Sequence, residues 1–399
     1  MKILVVCQHF YPEEFRINDI CCELVKKGHS VTVLTGLPNY PRGKVFKEYK
    51  FFKRRKEDFK GVKILRSFLI GRGTNTIMMA INYACFAIMA SIKALFIKKD
   101  FDVIYVYQLS PISMVWPAIL LKYITKKKLV IHCLDQWPIS VTIGGIKKTS
   151  FLYKFIFKLS KWTYEQTDFI TISSKSFKKY FINELNIKDK GLVYWPSYAE
   201  ANYDKINYKD DNNFDLVFAG NIGPAQSVET IIETARILKK CNNIKFHIVG
   251  DGLNKVACEK SVQKYKLNNV TFYGFHPVEK MPQFYSMADA FLITMADNEI
   301  VNNTLPAKIQ SYMLSGRPII GAINGEVKEV VKEANCGVCC DSLDYKALSK
   351  IILLVHNDKE KLKKWGDNAK QYYEKHFDKK KCINDLEQML YNVISGVNQ

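Results

Sequence analysis

A chain of 399 residues is long enough for about two domains, and its 48% apolar and 25% charged residues exclude a disordered protein. Its net charge of +20 is uneven, because residues 1–200 hold 33 Lys and Arg against 15 Asp and Glu, whereas 201–399 hold 26 against 24. The basic half predicts an anionic partner, either nucleic acid or a membrane surface. Nucleic acid is the weaker alternative, since the sequence has no zinc-finger spacing, RNA-binding aromatic motif or basic zipper.

The first half of the chain alternates short apolar runs with segments of helical spacing. The apolar runs lack polar alternation, which is typical of strands buried on both faces of a parallel sheet. A helix over 19–27 is predicted to end at Gly28, where a residue without Cβ readily adopts the turn conformation. The predicted strands are 2–7, 31–34, 103–107, 129–133 and 169–172.

The eleven cysteines are spread along the chain without the spacing of a disulfide framework. Because Met1 and Lys2 lead directly into an apolar strand, we expect no signal peptide, and therefore free thiols in a reducing cytosol. The close cluster over 336–340 lacks a second pair of ligands at zinc spacing. It indicates a turn followed by a strand.

Residues 77–97 form an apolar segment almost long enough to cross a bilayer, although Asn82, Ser91 and Lys93 interrupt it. A spanning helix would divide the first sheet domain, so it is the least favoured of three alternatives. A helix buried in the core is favoured most, and a helix in a membrane interface beside basic residues follows closely.

The second half repeats the alternation of strands and helices. Three predicted strands, 216–219, 246–249 and 270–273, each lead to a glycine and then to a helix. This pattern predicts an α/β protein with two doubly wound parallel-sheet domains. The predicted organisation is an N-terminal domain over 1–200, a polar linker over 201–213, a C-terminal domain over 214–375, and a helix over 376–399 that packs back on the N-terminal domain.

Residues 305–318 predict a helix that has Pro306 and Lys308 in its first turn and leads into an apolar strand. A lysine beside backbone N–H groups that no helical carbonyl satisfies can hold a diphosphate, although a solvated lysine would give the same pattern. Glycines at successive strand ends would let the backbone approach a ligand closely. They are Gly220, Gly223, Gly250, Gly252 and Gly274.

Three other patterns are interpreted as structural. No glycine follows the first strand, so the Gly-x-Gly-x-x-Gly dinucleotide pattern is missing and NAD chemistry is not expected. Asp100 and Asp102 match an Asp-x-Asp metal pattern, but they precede a strand and are interpreted as a turn. His132 is interpreted as a strand residue packed in the core.

At this point the chain resembles a family 4 glycosyltransferase of the GT-B fold, in the branch that builds bacterial O-antigen and capsule. The segments that carry the resemblance are 9–19, 34–44, 218–226, 248–252 and 305–318. It implies two Rossmann-like domains that face an interdomain cleft, with the nucleotide sugar held by the C-terminal domain and the acceptor by the N-terminal one. It further implies a retaining, metal-independent enzyme without a cofactor. Some members of the branch are N-acetylfucosaminyltransferases, which suggests a UDP-linked N-acetylated sugar as donor.

The resemblance also assigns roles to individual residues. The expected donor-binding residues are Gly220, Asn221, Gly223, Gln226, Gly250, Gly252, Gly274, Phe275, Asn303, Lys308 and Ser311. The expected acceptor-binding residues are Glu14, Arg16, Asn39, Tyr40 and Arg42. The expected catalytic residues are Arg16, Asp135, Glu299 and Lys308.

The chain departs from the family pattern in two places. Gln226 stands where many members have a basic residue, so Lys308 and Arg16 are expected to neutralise the departing UDP. Asn303 and Ser311 stand where the family has two glutamates, and Glu299 is either a substitute or a solvated loop residue.

Asp135 follows a predicted strand in a segment, 132–138, that resembles one of the same branch. It is expected to orient or deprotonate the acceptor hydroxyl. A residue that caps a helix or turn is the alternative.

The expected partners are a UDP-sugar, a saccharide linked to polyprenyl diphosphate and an anionic membrane surface, but no nucleic acid. The expected location is the cytoplasm, at the inner face of the cell membrane. Two alternatives stay open at this level. One is a GT-B enzyme that does not transfer the sugar, such as a UDP-sugar epimerase. The other is a catalytically inactive, basic binding protein of membranes or nucleic acid.

Overall fold

The computed structural model describes residues 1–51, 53–187, 191–200, 206 and 212–397. They form two compact units, one of Met1–Trp195 together with Ile383–Gln399, and one of Pro196–Cys382. Most of the predicted linker over 201–213 lies outside the described residues.

The first unit is built on an eight-stranded sheet, in which only β3 and β4 pair antiparallel and all other neighbours pair parallel. The strands are β1 (Lys2–Val6), β2 (Ser30–Thr35), β3 (Lys56–Phe59), β4 (Val62–Arg66), β5 (Val103–Gln108), β6 (Lys128–Cys133), β7 (Phe169–Ile172) and β8 (Leu192–Tyr194). Their order across the sheet is β3-β4-β2-β1-β5-β6-β7-β8. Every residue of β5 is buried, as expected for a strand covered on both faces.

Helices and short helical turns connect these strands. The helices are α1 (Arg16–Lys26), α2 (Thr76–Phe96), α3 (Trp116–Thr125), α4 (Phe151–Glu165) and α5 (Phe177–Lys179), and the turns are Lys47–Tyr49, Ile112–Val115, Ile139–Gly144 and Tyr180–Glu184. Helix α1 begins three residues earlier than the apolar spacing predicted, directly after the extended Phe15.

The second unit is built on a six-stranded parallel sheet in the order β11-β10-β9-β12-β13-β14. The strands are β9 (Phe214–Ala219), β10 (Ile244–Val249), β11 (Val270–Gly274), β12 (Ala290–Thr294), β13 (Ile319–Ala322) and β14 (Gly337–Cys340). The helices of this unit are α6 (Val228–Ile237), α7 (Lys255–Tyr265), α8 (Met281–Tyr285), α9 (Glu299–Asn303), α10 (Lys308–Leu314), α11 (Glu326–Glu333), α12 (Tyr345–Val355) and α13 (Lys359–His376). Strand β14 confirms that the cysteine cluster is a turn followed by a strand.

Alternate side chains of β9 enter different hydrophobic cores on the two faces of this sheet. Leu216 and Phe218 join a core that includes Ile231 of α6, whereas Val217 joins one that includes Ile309 of α10. Helices therefore cover both faces, which confirms the predicted α/β class with two doubly wound Rossmann-like domains.

The strand order of each sheet reverses at one point. In the first sheet β1 lies between β2 and β5, and in the second β9 lies between β10 and β12. Crevices that bind ligands form outside the carboxyl ends of parallel strands at such switch points. The loops after β1 and β5, and those after β9 and β10, are thus the places to search for a site in each unit.

Strands β3 and β4 were not predicted, and a buried ion pair holds them to the sheet. Arg66 is 2% exposed, and its guanidinium donates to Glu57 Oε2 from Nε at 2.9 Å and from Nη2 at 2.8 Å. It also donates to the carbonyl oxygens of Tyr11 and Gly36, in the loops after β1 and β2. A buried arginine in this position has no signature in hydrophobic periodicity.

Helix α2 covers the predicted apolar segment and buries only one of its faces. Phe86 and Ala90 are buried, and Asn82 accepts a hydrogen bond from the side-chain amide of Gln8 at 2.8 Å. On the opposite face, Ile77 is 73% exposed and Ile88 58%. By length and composition alone α2 could cross a membrane. Only 28% of its most apolar 18-residue stretch is buried against the rest of the protein. It is therefore not the fully buried core helix that was favoured first.

The chain ends in α14 (Lys379–Ser395), and residues from Ile383 onward belong to the first unit. Glu387 accepts hydrogen bonds from Lys27 Nζ and pairs with His29 Nε2, both at 2.6 Å. The last helix is thereby fastened to the end of α1 and the start of β2.

Candidate functional site

Glycines bring the carboxyl ends of β9 and β10 into unusually close contact. Gly220 and Gly250 have φ angles of +145° and +146°, which favour a residue without Cβ. A Cβ added to Gly250 would lie 1.8 Å from the carbonyl oxygen of Gly220, and the N–H of Gly250 donates to the carbonyl oxygen of Gly274 at 2.8 Å. The structure thus places three of the predicted donor-binding glycines at one edge of the sheet.

Four further predicted donor-binding residues surround this contact. Asn221 Nδ2 donates to Gln226 Oε1 at 3.2 Å, and a Cβ on Gly252 would lie 2.5 Å from Asn221 Oδ1. Gly223 lies between the same two amides, since its added Cβ would be 2.7 Å from Asn221 Nδ2. The carbonyl of Gln226 accepts from Thr294 Oγ1, at the end of β12. The loop after β9 is therefore tied to both neighbouring strands.

Lys308 reaches into this loop from the first residue of α10. A Cβ added to Gly220 would lie 2.7 Å from Lys308 Nζ, which stands 4.0 Å from the ring centroid of Phe218. Nζ is buried and has no hydrogen-bond partner among the described residues. Burial lowers the pKa of Lys308 to about 7. Pro306 lies just before the helix and not inside its first turn.

Tyr312 fixes the position of α10 against β9. Its hydroxyl donates to the carbonyl oxygen of Ala219 and accepts from the N–H of the same residue, at 3.1 and 2.8 Å. Its ring stacks on Phe291 of β12, with the ring centroids 4.2 Å apart. Sequence reasoning did not identify Tyr312, and its spacing of four from Lys308 on one helix face is the signal that was available.

The remaining predicted donor-side residues lie after β11 and in α9 and α10. Phe275 is 70% exposed beside Gly274, which has φ +76°, so it extends into solvent after β11. Ser311 is 6% exposed, whereas Glu299 is exposed at the start of α9. Asn303 ends that helix. Among the described residues, none of these last three forms a hydrogen bond with Lys308 Nζ.

In the first unit, a buried acid and histidine organise the loop after β1. His9 Nδ1 lies 3.1 Å from both carboxylate oxygens of Glu13. Glu13 Oε1 also accepts from the backbone N–H groups of Asn39 and Tyr40, at 2.8 and 2.7 Å. The predicted acceptor-binding residue is the adjacent Glu14, which is exposed. The spacing of four between His9 and Glu13 after a strand was the missed signal.

The predicted acceptor-side residues around this loop differ in what they can contact. Asn39 is wholly buried, and its amide donates to the carbonyl oxygen of Leu37 while its oxygen accepts from the N–H of Arg72. Its side chain therefore holds the loop and does not line its surface. Tyr40 is 39% exposed beneath the guanidinium of Arg72, and Arg42 is exposed.

The ring of Phe15 stacks on His9, with their centroids 5.0 Å apart. The next residue, Arg16, begins α1. The structure thus sets Arg16 directly beside the His9–Glu13 loop.

Asp135 lies in the loop after β6 and is held by the loop after β5. Ser110 Oγ donates to Asp135 Oδ2 at 2.7 Å and accepts from Trp137 Nε1 at 3.0 Å. Burial raises the pKa of Asp135, and Ser110 partly opposes this effect. The pKa of Tyr83 is raised mainly by burial, while Arg72 lowers it and Asp135 raises it further. Arg72 and Asp135 are therefore both close enough to Tyr83 to act on its pKa.

The structural interpretations of two motifs are confirmed. Asp102 accepts from the backbone N–H of Lys2 at 2.6 Å and Asp100 from its Nζ at 2.7 Å, at the amino ends of β1 and β5. His132 is 1% exposed, and burial lowers its pKa to about 3. Within the described residues, no group of three or more His, Cys, Asp or Glu side chains is placed to hold a metal ion.

Two family models match adjacent parts of the chain. Residues 14–197 match Glycosyltransferase Family 4, and residues 200–372 match Glycosyl transferases group 1. WcaI of Escherichia coli K12, which is named as a glycosyl transferase of colanic acid biosynthesis, is 24% identical over 336 residues, or 79% of this chain and 82% of WcaI.

Solved structures share the fold at low sequence identity. Sucrose-phosphate synthase from Thermosynechococcus elongatus superposes with a TM-score of 0.78, 14% identity and 99% of both chains covered. HepE from Anabaena, solved with UDP-glucose, superposes with a TM-score of 0.70, 16% identity and 100% of both chains covered. The two adjacent family matches and the shared fold together show that the chain belongs to the family 4 glycosyltransferases of the GT-B fold.

Proposed function

We propose that the protein transfers a sugar from a UDP-sugar to a lipid-linked saccharide during synthesis of a cell-surface polysaccharide. Transfer would retain the anomeric configuration and need neither a metal ion nor a cofactor. The observation that carries this proposal is the buried amine of Lys308, which stands without a hydrogen-bond acceptor beside Gly220. A buried ammonium without a partner is costly, so such a position favours an anionic ligand.

The diphosphate of the donor fits the edge formed by β9 and β10. Gly220, Gly250 and Gly252 carry no side chain that would block the approach of phosphate oxygens to the backbone. Lys308 would pair with the diphosphate and stabilise the charge that develops on departing UDP. Gln226, which stands where many family members have a basic residue, is uncharged and cannot take this role. The solved HepE complexes contain UDP or UDP-glucose, which supports UDP as the nucleotide.

The acceptor would bind in the first unit. Tyr40 and Arg42, in the loop held by Glu13, would contact the acceptor together with Arg16 at the start of α1. Asp135 would accept a hydrogen bond from the acceptor hydroxyl and hold it for attack. The excess of 33 basic over 15 acidic residues in 1–200 supports an anionic acceptor such as a polyprenyl diphosphate.

The place of the reaction and the donor sugar are further parts of the proposal. The exposed apolar face of α2 supports a location of the protein at the inner face of the cell membrane. The name of WcaI supports a role in polysaccharide synthesis. An N-acetylated deoxyhexosamine such as N-acetylfucosamine is the first donor sugar to test, on the resemblance described above.

The experiment is to measure the melting temperature with UDP, GDP and NAD. A nucleotide at 100 times its Kd stabilises the folded state by about 2.7 kcal/mol, which is expected to raise Tm by a few degrees. A rise specific to UDP leads to a screen of UDP-sugars with a polyprenyl diphosphate acceptor, with and without EDTA. No rise with UDP would refute the proposed donor site, and products formed from donor alone would refute transfer.

A further inference from the structure

Helix α4 exposes aromatic side chains where a solvent-facing helix usually has polar ones. Phe151 is 85% exposed, Phe155 57% and Trp162 43%. With Lys158 they recur at intervals of four and three residues, so they lie on one side of the helix, and exposed Lys154 borders them. We call Phe151, Lys154, Phe155, Lys158 and Trp162 the aromatic–lysine face.

The surroundings of this face are mainly basic, although Glu165 at the end of α4 pairs with Lys161 at 4.0 Å. Residues 136–164 contain five lysines and no Asp or Glu. The segment before α4 lines a shallow surface pocket of about 410 Å³. Ile143, in the same segment, is 70% exposed. The pocket is lined by Thr142, Gly145, Ile146, Lys147, Lys148 and Thr149.

Neighbouring helices of the first unit also expose large apolar side chains. Trp116 Nε1 of α3 donates to Thr163 Oγ1 of α4 at 3.3 Å, and α3 packs in turn against α2. Tyr123 of α3 is 53% exposed, and Ile88 of α2 is 58% exposed. Three adjacent helices therefore each leave large apolar side chains in solvent.

We propose that the aromatic–lysine face docks on an anionic lipid bilayer, with Lys147 and Lys148 at the level of the headgroup phosphates. Aromatic rings suit the boundary between headgroups and acyl chains, while lysine amines extend to the phosphates. A second copy of the chain is a poorer occupant, because two such faces would bring four lysines together and neither face contains an acid. The inference rests on the proposed function, since a lipid-linked acceptor is presented at such a surface.

The test is co-sedimentation of the full-length chain with vesicles of phosphatidylcholine, with or without phosphatidylglycerol. Wild type is expected to bind the anionic vesicles and to be released by salt. Changing Lys154 and Lys158 to Gln should lower the partition constant about 25-fold, at about five-fold per lysine. Changing Phe151 and Phe155 to Gln should lower it at least about ten-fold for each ring removed. All four side chains are exposed, so the variants should fold.

The matched control changes Lys350 and Leu354 to Gln in α12, where the lysine is exposed and Leu354 is 79% exposed. Its vesicle binding should equal that of wild type. Wild-type binding by either α4 variant would overturn the proposal, even if the protein binds vesicles through α2. A loss of self-association in the phenylalanine variant, seen by light scattering, would identify a protein interface and overturn it too.

The rise in Tm with UDP, measured on the same variants, separates this proposal from the proposed function. A UDP response without vesicle binding refutes the docking face alone. Vesicle binding lost in the α4 variants without any UDP response supports the docking face and refutes the donor site.

Discussion

Replacing Lys308 by Met should weaken UDP binding and at the same time stabilise the free protein. Methionine keeps most of the volume of the side chain and removes an amine that is buried without a hydrogen-bond partner among the described residues. The pKa of Lys308 is lowered from 10.5 to about 7 by burial. A diphosphate beside Nζ would favour the charged form and restore the pKa towards its usual range.

The lowered pKa of Lys308 should make the affinity of the wild-type protein for UDP depend on pH. The free protein carries a charged Lys308 in about half of its molecules at pH 7 and in about one hundredth at pH 9, so affinity for UDP should fall about 50-fold over this range. The diphosphate of UDP keeps nearly the same charge over this range, since the second pKa of a phosphate is about 6. The Lys308→Met variant should bind UDP weakly and without this pH dependence.

The free energy of unfolding should increase in the Lys308→Met variant, although its UDP binding is weakened. Because the folded pKa lies below the unfolded value, the charged amine destabilises the folded state most below pH 7, and the penalty disappears as pH rises towards 10.5. Lys308→Met should therefore raise the free energy of unfolding by ~2–4 kcal/mol at pH 7, and by little near pH 10.

Isothermal titration with UDP at pH 7, 8 and 9, together with thermal melts, measures both effects. Lys328→Met is the control, because Lys328 forms an exposed ion pair with Asp341 at 2.6 Å. Wild-type affinity that is flat between pH 7 and 9, or a Lys308→Met variant that binds UDP normally, would refute the reasoning.

Three more substitutions test other parts of the structure. Gly250→Ala places a Cβ 1.8 Å from the Gly220 carbonyl and should cost ~2–4 kcal/mol of stability and abolish the Tm response to UDP, unlike Gly144→Ala, which meets no atom within 4 Å. Asp135→Asn should lower transfer ~10²–10⁴-fold with unchanged UDP affinity; normal turnover would leave Asp135 a capping residue. Arg66→Met should cost ~1–3 kcal/mol in urea unfolding, because partly buried Glu57 loses its two-point partner and retains only Arg54 and Tyr49 among the described residues, and adding Glu57→Gln should recover part of it.

The amino-acid sequence by itself determined the alternation of strands and helices, except for β3 and β4, and indicated which residues could form a donor site. Apolar runs without alternation indicate strands covered on both faces, and glycines at their ends indicate where backbone meets backbone. These signals are local, so Gly220, Gly250 and Lys308 could be named before any contact was known. The charge difference between the halves is equally a property of composition.

Only the tertiary structure decided which of these residues meet and which side chains stay exposed. Tyr312 bonds both backbone groups of Ala219 across 93 residues of chain, and Arg66 joins loops that precede it by 30 and 55 residues. Periodicity in a window of residues contains no information about such pairs. The same holds for α2 and α4, because hydrophobicity alone does not say which face of a helix its neighbours cover. Burial, and with it the lowered pKa of Lys308, is a property of the packed neighbours and not of the residue.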